Sequence, residues 1–509
     1  MAWLHRGCLL LGAVLAAFLI VVSTSEGPHQ SGVSRRSDAI LDPAARGVIT
    51  YENTANIASY QQDGILTYRG WQYTGWYRDS ERAVIARRKL PSGRWQSTEL
   101  DVDLYRDDSH NTIAMAVTSS DGRLHVAFPT HNEGIRYTRT RPGVASRPGE
   151  VPWTSRVFER TRPSWPGALE APRTLTYPRF EVVRGRMLLT YRDGISGNGQ
   201  QVLLRYDDTP AGTWSFLGSY TSSQGTYRSK YGTSTTRNAY LHGFTADPAT
   251  GDLAITWTWR EHPSGSCDGA SVGNHDTGYA VSHDGGMTWT GNHGRVIGRT
   301  GTRDLIAVHD PHIVRGIPID RGLMNQESQA FDHEGRLHVM TSRVRASDLH
   351  PLGGCARDLY ADRRRFARPY HAWRDDDGTW HETALPTRQG SSGRTKIVLG
   401  NDDTAYVILP DARIMAATAA SRWTDWRTVF AAGDVRNVSE LIIDRSRLAL
   451  DGVLSVAYQE PPRRAGLPSA FRIADFHLGS TAPHRPKSRN PERPPLPYEG
   501  SRRETAGID

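Results

Sequence analysis

Two histidines flank one apolar stretch of the chain, and an asparagine follows each of them. The segment Asp108-Ser109-His110-Asn111 precedes residues 121–128, and Thr130-His131-Asn132 follows them. Apolar and polar residues alternate in this stretch, which predicts a β-strand with His125 packed inside it. Because a hairpin brings its two flanks together, we expect His110 and His131 to converge on one face. Imidazoles placed in this way suit acid–base chemistry.

A second cluster follows further along the chain. Thr176-Tyr177-Pro178-Arg179-Phe180 precedes a predicted strand, and Tyr191-Arg192-Asp193-Gly194 follows it. A hairpin again joins the flanks and places Tyr177 near Arg192. An arginine fork pairs with a carboxylate without losing its proton, and a tyrosine hydroxyl can give or accept one. Each residue alone is a weak signal, whereas two histidines, a tyrosine and an arginine from adjacent units form a more specific combination.

This combination suits β-elimination at a uronic acid. The C5 proton of a uronate is poorly acidic while the neighbouring carboxylate is charged, and a cation held against that carboxylate makes it more acidic. A histidine or tyrosine then removes the proton, and an acid protonates the leaving O4. The elimination needs no cofactor. Ordinary glycoside hydrolysis requires a pair of carboxylates, and we find no such pair flanking Tyr177 or Arg192 in the sequence.

The elements that must hold these residues repeat along the chain. A turn residue followed by an alternating apolar stretch recurs seven times, at intervals of 48 to 84 residues. The seven segments begin at Asp63, Asp121, Gly185, Gly251, Gly335, Asp403 and Asp451. With no convincing long helical pattern, they predict an all-β fold, a seven-bladed β-propeller over residues 46–479. A pair of β-sandwiches is the alternative.

One turn motif supports the propeller and is excluded from the candidate site. Residues 282–289 read Ser-His-Asp-Gly-Gly-Met-Thr-Trp, a complete Asp-box. The Asp284 carboxylate is expected to accept hydrogen bonds from the turn backbone, while the glycines adopt positive φ and Trp289 packs beneath. We therefore assign these residues to the fold.

The ends of the chain differ in composition from the repeats. Residues 1–25 contain an apolar run over 8–22 and small residues after it, which predicts a signal peptide, with a retained anchor as the alternative. Residues 26–45 are predicted to be a linker, and the Pro- and Arg-rich residues 480–509 a disordered tail. The formal net charge is +8 and comes almost entirely from arginine, which suits an anionic partner or simply solubility. We expect a secreted protein without stable membrane association once the signal is removed.

In the order of its motifs, the segment from His110 to His338 resembles the BNR-repeat propellers that include the ulvan lyases and, more distantly, the rhamnose–glucuronate lyases. Besides the two clusters above, the matching pieces are Ser196-Gly197-Asn198-Gly199, Trp259-Arg260-Glu261, Asn274-His275-Asp276, the Asp-box and Asn325-Gln326-Glu327. The resemblance implies a seven-bladed propeller that cleaves the bond between rhamnose and O4 of a glucuronic or iduronic acid. The arginine-rich residues 356–368 and the C-terminal extension depart from the family pattern.

The resemblance also implies roles for individual residues. His110 and Tyr177 would be the base and the acid, in an order that the sequence leaves open, and His131 would assist them. Arg192 would neutralise the carboxylate, while Asn111, Asn198 and Arg260 would bind substrate. Ulvan lyases of this shape carry a structural zinc held by histidine and cysteine, and the candidate ligands here are Cys267, His275, Cys355 and His371. A Cys267–Cys355 disulfide is the equally weighted alternative.

Three functional readings therefore remain for the propeller. The first is a secreted lyase, a monomer acting on an anionic uronate-containing polysaccharide and binding no nucleic acid. The second is a glycoside hydrolase on the same fold, a rhamnosidase or a sialidase-like enzyme. The third is a non-catalytic glycan-binding propeller. Product analysis separates the first two, because a hydrolase leaves a saturated uronate.

Overall fold

The computed structural model describes residues 33–478, apart from 48, 52, 168–171, 263–272, 310–312, 350–358, 432, 434, 439 and 465. The predicted signal peptide at 1–25 and the predicted tail at 480–509 lie outside the described residues. Among the described residues, neither α-helix has the length and apolar composition needed to cross a membrane.

Strands account for most of the regular structure, beginning with β1 (Val33–Ala45), β2 (Ile49–Thr50) and β3 (Asn53–Thr54). The first sheet contains β4 (Ile65–Tyr68), β5 (Trp71–Tyr77), β6 (Arg82–Lys89) and β7 (Gln96–Asp103). The second contains β8 (Ala114–Val117), β9 (Leu124–Pro129) and β10 (Ile135–Arg139). The third contains β11 (Leu175–Val183), β12 (Arg186–Ile195), β13 (Asn198–Asp207) and β14 (Thr213–Ser219).

The fourth sheet contains β15 (Gln224–Ser229), β16 (Gly232–Ala246), β17 (Leu253–Glu261), β18 (Asn274–Ser282), β19 (Thr288–Thr290), β20 (Val296–Arg299) and β21 (Ile313–Arg315). The fifth contains β22 (Ser328–Phe331), β23 (Leu337–Arg343), β24 (Arg368–Arg374) and β25 (Trp380–Ala384). The sixth contains β26 (Lys396–Leu399), β27 (Ala405–Ile408), β28 (Ile414–Ala417) and β29 (Arg427–Phe430). The seventh contains β30 (Ile442–Ile443), β31 (Val453–Gln459) and β32 (Ser469–Leu478), with β1 as its outer strand. The described helices are α1 (Leu359–Phe366), α2 (Arg445–Asp451) and four short 3₁₀ turns at Pro148–Glu150, Ser155–Val157, Ala346–Asp348 and Ala419–Ser421.

The sheets follow one another around a ring. Each consecutive pair of sheets shares a buried apolar cluster, and the seventh sheet shares another with the first. In that closing cluster, Ile473 and Ala457 of the seventh sheet pack with Trp76 and Val84 of the first. A chain of antiparallel sheets that packs face to face and closes on itself is an all-β propeller.

The prediction of a seven-bladed propeller is wrong in the number of blades. Within the described residues, six sheets have four or more strands and the second has three, so that six blades are complete. The segment beyond β10 approaches that strand only through isolated bridges, Tyr137 to Arg162 and Thr140 to Phe158. Pro163 and Pro166 follow this segment. Because proline lacks an N–H to donate, the segment cannot continue as a ladder strand.

The predicted repeat segments do not all take the same place in their sheets. Five of the seven became the second strand of their sheets, namely β9, β12, β23, β27 and β31, and the segment that begins at Gly251 became β17, the third strand of the fourth sheet. The segment that begins at Asp63 instead supplies β4, which is the first strand of its sheet. The hairpin turn of this sheet lies six and seven residues after Asp63, at Arg69 and Gly70, both with positive φ.

Two further sequence predictions are tested by the strands. Residues 33–45 form β1, so the linker predicted for 26–45 is wrong over this part. The strand gains its order from pairing with β32, from Val33 opposite Leu478 to Ala45 opposite Ser469. The Asp-box is confirmed, since Asp284 Oδ1 accepts hydrogen bonds from the backbone N–H groups of Met287 at 3.0 Å and Thr288 at 2.8 Å. Trp289 is fully buried beneath that turn.

Candidate active site

His110 and His131 converge on a single carboxylate. Asp108 Oδ1 lies 2.6 Å from His110 Nδ1, and its Oδ2 lies 2.8 Å from His131 Nδ1. The two imidazoles stack with ring centroids 3.9 Å apart. The sequence placed the two histidines at the flanks of one hairpin, and the structure brings them together at the end of the β8–β9 hairpin. Asp108, which the sequence analysis quoted without giving it a role, aligns the two rings.

The pKa values of Asp108 and His110 are both lowered, but for different physical reasons. Burial raises the pKa of Asp108, but hydrogen bonds with His110 and His131 outweigh it and hold that pKa well below its usual range. Burial, helped by the nearby His131, lowers the pKa of His110 to about 4 against the opposing effect of Asp108. Asp108 is therefore ionised and His110 neutral at neutral pH. With Nδ1 directed at the carboxylate, Nε2 of His110 is left as the proton acceptor.

Asn111 supports the histidine pair from beneath. Its Oδ1 accepts a hydrogen bond from the backbone N–H of His131 at 2.8 Å, and its Nδ2 donates to the carbonyl of Arg106 at 3.1 Å. The residue is only 1% exposed. This geometry gives Asn111 a positioning role for His131. Asn111 also lines a pocket that shares His131 and Asn132 with the site, and the substrate contact predicted for it stays a prediction.

Tyr177 projects from an irregular point in β11. The register of β11 against β12 shifts between Thr176 and Arg179, and Tyr177 has a φ of +61°. Because Pro178 cannot donate a ladder hydrogen bond, the bulge falls at this point. The ring of Tyr177 lies 5.7 Å from that of His110 between centroids, as the sequence analysis expected for a residue of the same centre.

Tyr240 of β16, which was not predicted from the sequence, also belongs to this centre. Its hydroxyl donates to Ser196 Oγ at 3.0 Å and accepts a hydrogen bond from Arg192 Nη1 at 3.1 Å. Its ring centroid lies 5.8 Å from that of Tyr177. Burial raises the pKa of Tyr177, and the neighbouring Tyr240 raises it further. The pKa of Tyr240 is lowered, since the charges of Arg192 and Arg260 outweigh its burial.

Arg192 lies near Tyr177 as predicted, but beneath the site. It is fully buried, and its guanidinium carbon lies 5.0 Å from the ring centroid of Tyr177. Its Nη2 donates to Asn132 Oδ1 at 2.6 Å and to Thr176 Oγ1 at 3.0 Å. The hairpin continues to Ile195 and Asn198 and so places Arg192 within a strand. Direct contact with a substrate carboxylate, as predicted, is not available to Arg192 here.

A pocket of about 390 Å³, which we call the His110 pocket, is lined by His110, His131, Tyr177 and Tyr240. The described residues that line it include three arginines, Arg260, Arg363 and Arg394, and no aspartate or glutamate. Arg394 pairs with Glu440 at 2.9 Å, and Arg363 donates to the carbonyl of Ser342 at 3.0 Å.

Arg260 differs from the other two cations of this pocket, because its guanidinium makes no hydrogen bond or ion pair with another described residue. It was predicted to bind substrate, and its position in the wall agrees with that role. Asn198 is exposed at the end of the β12–β13 hairpin, and Ser196 of the same hairpin lines the pocket in its place.

Two of the four predicted zinc ligands, His275 and His371, lie among the described residues. Cys267 and Cys355 lie outside the described residues. His275 has both ring nitrogens engaged, Nδ1 with Asp276 at 2.8 Å and Nε2 with Glu261 at 3.1 Å. His371 lies in the fifth sheet with its Nε2 2.9 Å from His338 Nδ1. Within the described residues these two histidines share no partner, and both zinc and the disulfide stay predictions.

One other grouping of potential ligands exists among the described residues, formed by Asp108, His110 and His131. The hydrogen bonds that the Nδ1 atoms of both histidines donate to Asp108 account for it.

The fold and the pocket define the class of protein as an all-β propeller with a polar pocket of histidine, tyrosine and arginine. The family model described as a BNR repeat-containing family member matches residues 71–388, more than half of the chain, and the chain belongs to this family. Its relatives include the long isoform of ulvan lyase from Alteromonas sp., 28% identical over 229 residues. A second is the long isoform of ulvan lyase from Pseudoalteromonas sp. (strain PLSV), also 28% identical over 229 residues. Each match covers 38% of this chain but only 23% of the relative's own length.

Solved structures support the fold. The polysaccharide lyase Uly1 superposes with a TM-score of 0.64 at 17% identity, over 87% of this chain and 100% of that one. A PL25 ulvan lyase superposes with a TM-score of 0.56 at 13% identity, over 84% of this chain and 94% of that one. The description of another structure of that PL25 lyase gives it as bound to -[GlcA(1-4)Rha3S]-.

Proposed function

We propose that this protein is a polysaccharide lyase that breaks the bond to O4 of a uronic acid by β-elimination. The observation that carries the proposal is the composition of the His110 pocket. It places a neutral histidine oriented by Asp108 and a protonated tyrosine in one cavity with an arginine that has no other described partner. The absence of a carboxylate from its described lining argues against the hydrolase, which needs two of them.

Arg260 is proposed to bind the substrate carboxylate. A guanidinium pairs bidentately with a carboxylate and so disperses the negative charge that otherwise keeps C5 from losing its proton. Arg363 and Arg394 already donate to protein groups and add positive potential to the same cavity. Arg192 acts through Tyr240 and Asn132, to which it donates hydrogen bonds.

His110 is proposed as the base and Tyr177 as the acid. His110 Nε2 takes the C5 proton, the electron pair forms the C4–C5 double bond, and the C4–O4 bond breaks as O4 receives a proton from Tyr177. The raised pKa of Tyr177 keeps that proton on the hydroxyl until the leaving oxygen needs it. His131 shares Asp108 with His110 and assists by holding that carboxylate in place through its own hydrogen bond to Oδ2.

The proposed substrate is an anionic polysaccharide such as ulvan, cleaved between rhamnose and glucuronate or iduronate. Support comes from the ulvan lyases among the relatives and from the cationic lining of the pocket. We further propose that the protein is secreted, acts as a monomer, needs no cofactor for the elimination and carries the zinc only as a structural ion, if the Cys267–Cys355 disulfide does not form instead.

A digest of ulvan tests this function. The protein is expected to produce the ultraviolet absorbance of an unsaturated uronate and shortened chains with a double bond by mass. Arg260→Ala should lower kcat/KM about 100-fold and Arg260→Lys less, because lysine keeps the charge but not the fork. Arg186→Ala, which removes an exposed arginine of β12 that does not line the pocket, is the matched control. Shortened chains with saturated uronates would instead establish a hydrolase.

A further inference from the structure

A narrow cavity of about 20 Å³ lies at the centre of the ring of sheets. Residues 60–62, which precede β4, form part of its wall. The third to the seventh sheets contribute the rest, through Arg179 of β11, His242 of β16, Gln329 of β22, Lys396 of β26 and Ile443 of β30. We call it the axial cavity. A water-sized sphere needs about 10–15 Å³, so the axial cavity admits a single small ion or a water molecule.

Two cations that line the axial cavity donate only to neutral acceptors among the described residues. The guanidinium of Arg179 donates to the carbonyl of Tyr60 at 3.2 Å and to Gln62 Oε1 at 3.4 Å. The ammonium of Lys396 donates to two backbone carbonyls, one of which is that of Glu327 at 3.4 Å. Arg179 is 3% exposed and Lys396 is 6% exposed. A buried charge without a counter-ion is costly, and these two lie on the same cavity.

The other charged groups in the described lining already have partners. Arg445 pairs with Asp63 at 2.8 Å and with Glu181 at 3.3 Å. Glu327 is the one carboxylate in that lining. Its Oε1 accepts a hydrogen bond from a serine hydroxyl at 2.6 Å, and its Oε2 accepts one from the backbone N–H of Thr395 at 3.1 Å. Arg179 and Lys396 are therefore the cations left to attract a ligand.

The pKa values of these groups agree with a shortage of negative charge. Burial, helped by the charge of Arg179, lowers the pKa of Lys396 to about 7 against the opposing effect of Glu440. Burial also lowers the pKa of Arg179 to about 10, against the opposing effect of Asp63. His242 adds no positive charge at neutral pH, because burial lowers its pKa to about 3. A negative charge in the axial cavity would favour the charged forms of Lys396 and Arg179.

We propose that the axial cavity binds one small monovalent anion, chloride in size and charge, held by Arg179 and Lys396. These two residues come from β11 of the third sheet and β26 of the sixth, which lie on different sides of the ring. The anion therefore links sheets that are far apart in sequence and stabilises the closed propeller. This role is separate from the chemistry of the His110 pocket and does not depend on the proposed function.

The test compares the thermal unfolding midpoint of the full chain in sodium chloride and in sodium methanesulfonate at equal ionic strength. Methanesulfonate carries the same charge but is too large for the axial cavity. A ligand that binds only the folded protein raises its midpoint, and we expect a midpoint about 1–3 °C higher in chloride. Lys396→Met should abolish this difference between the two salts. Lys89→Met is the matched control, because Lys89 is an exposed residue of β6, and it should retain the difference.

Bromide gives a direct measurement at the same site. Crystals grown or soaked in sodium bromide should show an anomalous difference peak between Arg179 and Lys396, and this peak should be missing from crystals of Lys396→Met. Equal midpoints in the two salts, with no bromide peak in the axial cavity, would overturn the proposal and leave a water molecule there. A chloride effect that Lys396→Met retains would assign the effect to surface sites and also overturn it. If Lys396→Met does not fold, the wild-type midpoints and the bromide peak decide.

Discussion

The imidazoles of His110 and His131 are stacked with 3.9 Å between their centroids, and each directs its Nδ1 at a different oxygen of Asp108. Two imidazolium ions at this separation would repel each other, so the pair favours a low proton content. His131 accordingly contributes to the lowered pKa of His110. The arrangement gives one accepting nitrogen, fixed in direction, beside the pocket.

Replacing the Asp108 carboxylate should remove the hydrogen bonds that orient the imidazoles of His110 and His131. Asp108→Asn is expected to lower kcat at least about 100-fold, because an amide cannot accept a proton-bearing Nδ1 at both of its ends. The measurement is the initial rate of unsaturated-uronate formation. Asp107→Asn is the control, since the Asp107 side chain is half exposed and pairs with Arg46. Equal rates for the two variants would contradict the role of Asp108.

The two tyrosines should be distinguishable by removal of their hydroxyls. Tyr177→Phe is expected to abolish kcat, because it removes the proton donor. Tyr240→Phe should lower kcat less, because it removes only the partner of Arg192 and Ser196. Tyr73→Phe is the control, since the buried Tyr73 hydroxyl has no hydrogen-bond partner among the described residues and its loss is neutral or stabilising. A Tyr177→Phe variant that retains full activity would exclude Tyr177 as the acid.

Buried histidines should make the free energy of unfolding depend on pH. Burial lowers the pKa of His110 to about 4 and those of His125 and His242 to about 3, from a usual 6.5. Below pH 6.5 the unfolded chain therefore binds protons that the folded protein refuses, and stability falls as the pH falls, by up to about 1.4 kcal/mol per histidine per pH unit. Glu181 acts in the opposite direction, because burial raises its pKa to about 7.

Urea denaturation at about pH 5, 5.5 and 6 measures how the free energy of unfolding depends on pH. His242→Gln should reduce the slope of unfolding free energy against pH by about one proton. His293→Gln, at an exposed position, should leave the slope unchanged. An unchanged slope in His242→Gln would mean that His242 titrates normally in the folded protein.

A buried ion cluster joins the ends of the ring. Asp475 of β32 lies 2.8 Å from Arg88 of β6 and 2.8 Å from Arg447 of α2. Asp475→Asn should lower the free energy of unfolding by about 3–5 kcal/mol, because it leaves the buried Arg88 guanidinium without its counter-ion and leaves Arg447 with Asp451 alone, at 3.2 Å. Chemical denaturation measures it, with Asp425→Asn as the exposed control. A loss below about 1 kcal/mol would show that the cluster is solvated.

The sequence predicted the histidine pair because one hairpin sets its geometry. His110 precedes β8 and His131 follows β9, the two strands of one hairpin, and strand alternation together with a tight turn is a local property of the chain. Tyr177 could also be predicted from the sequence, because Pro178 marks the bulge from which Tyr177 projects. The all-β propeller followed in the same way from turns and strands repeated along the chain.

Other features depend on contacts that the sequence does not show. Tyr240 lies within the 15-residue strand β16 and reads as an ordinary buried position, until the register shift between Leu241 and Gly243 is known. Arg192 reads as the residue after a strand, yet the ladder continues past it and buries it. Residues 33–45 are polar and irregular in sequence, and they become a strand only because β32 offers an unpaired edge.

That last pairing has a consequence for how the protein is made. Ser37 and Asp475 are hydrogen-bonded across 438 positions of the chain. During synthesis β1 emerges early and must remain unpaired until nearly all of the propeller has been translated. Such distant pairing makes closure a late and slow step of folding. Until then β1 presents an open strand edge to other nascent chains, and exchange of β1 between two molecules is the misassembly to which this topology is most exposed.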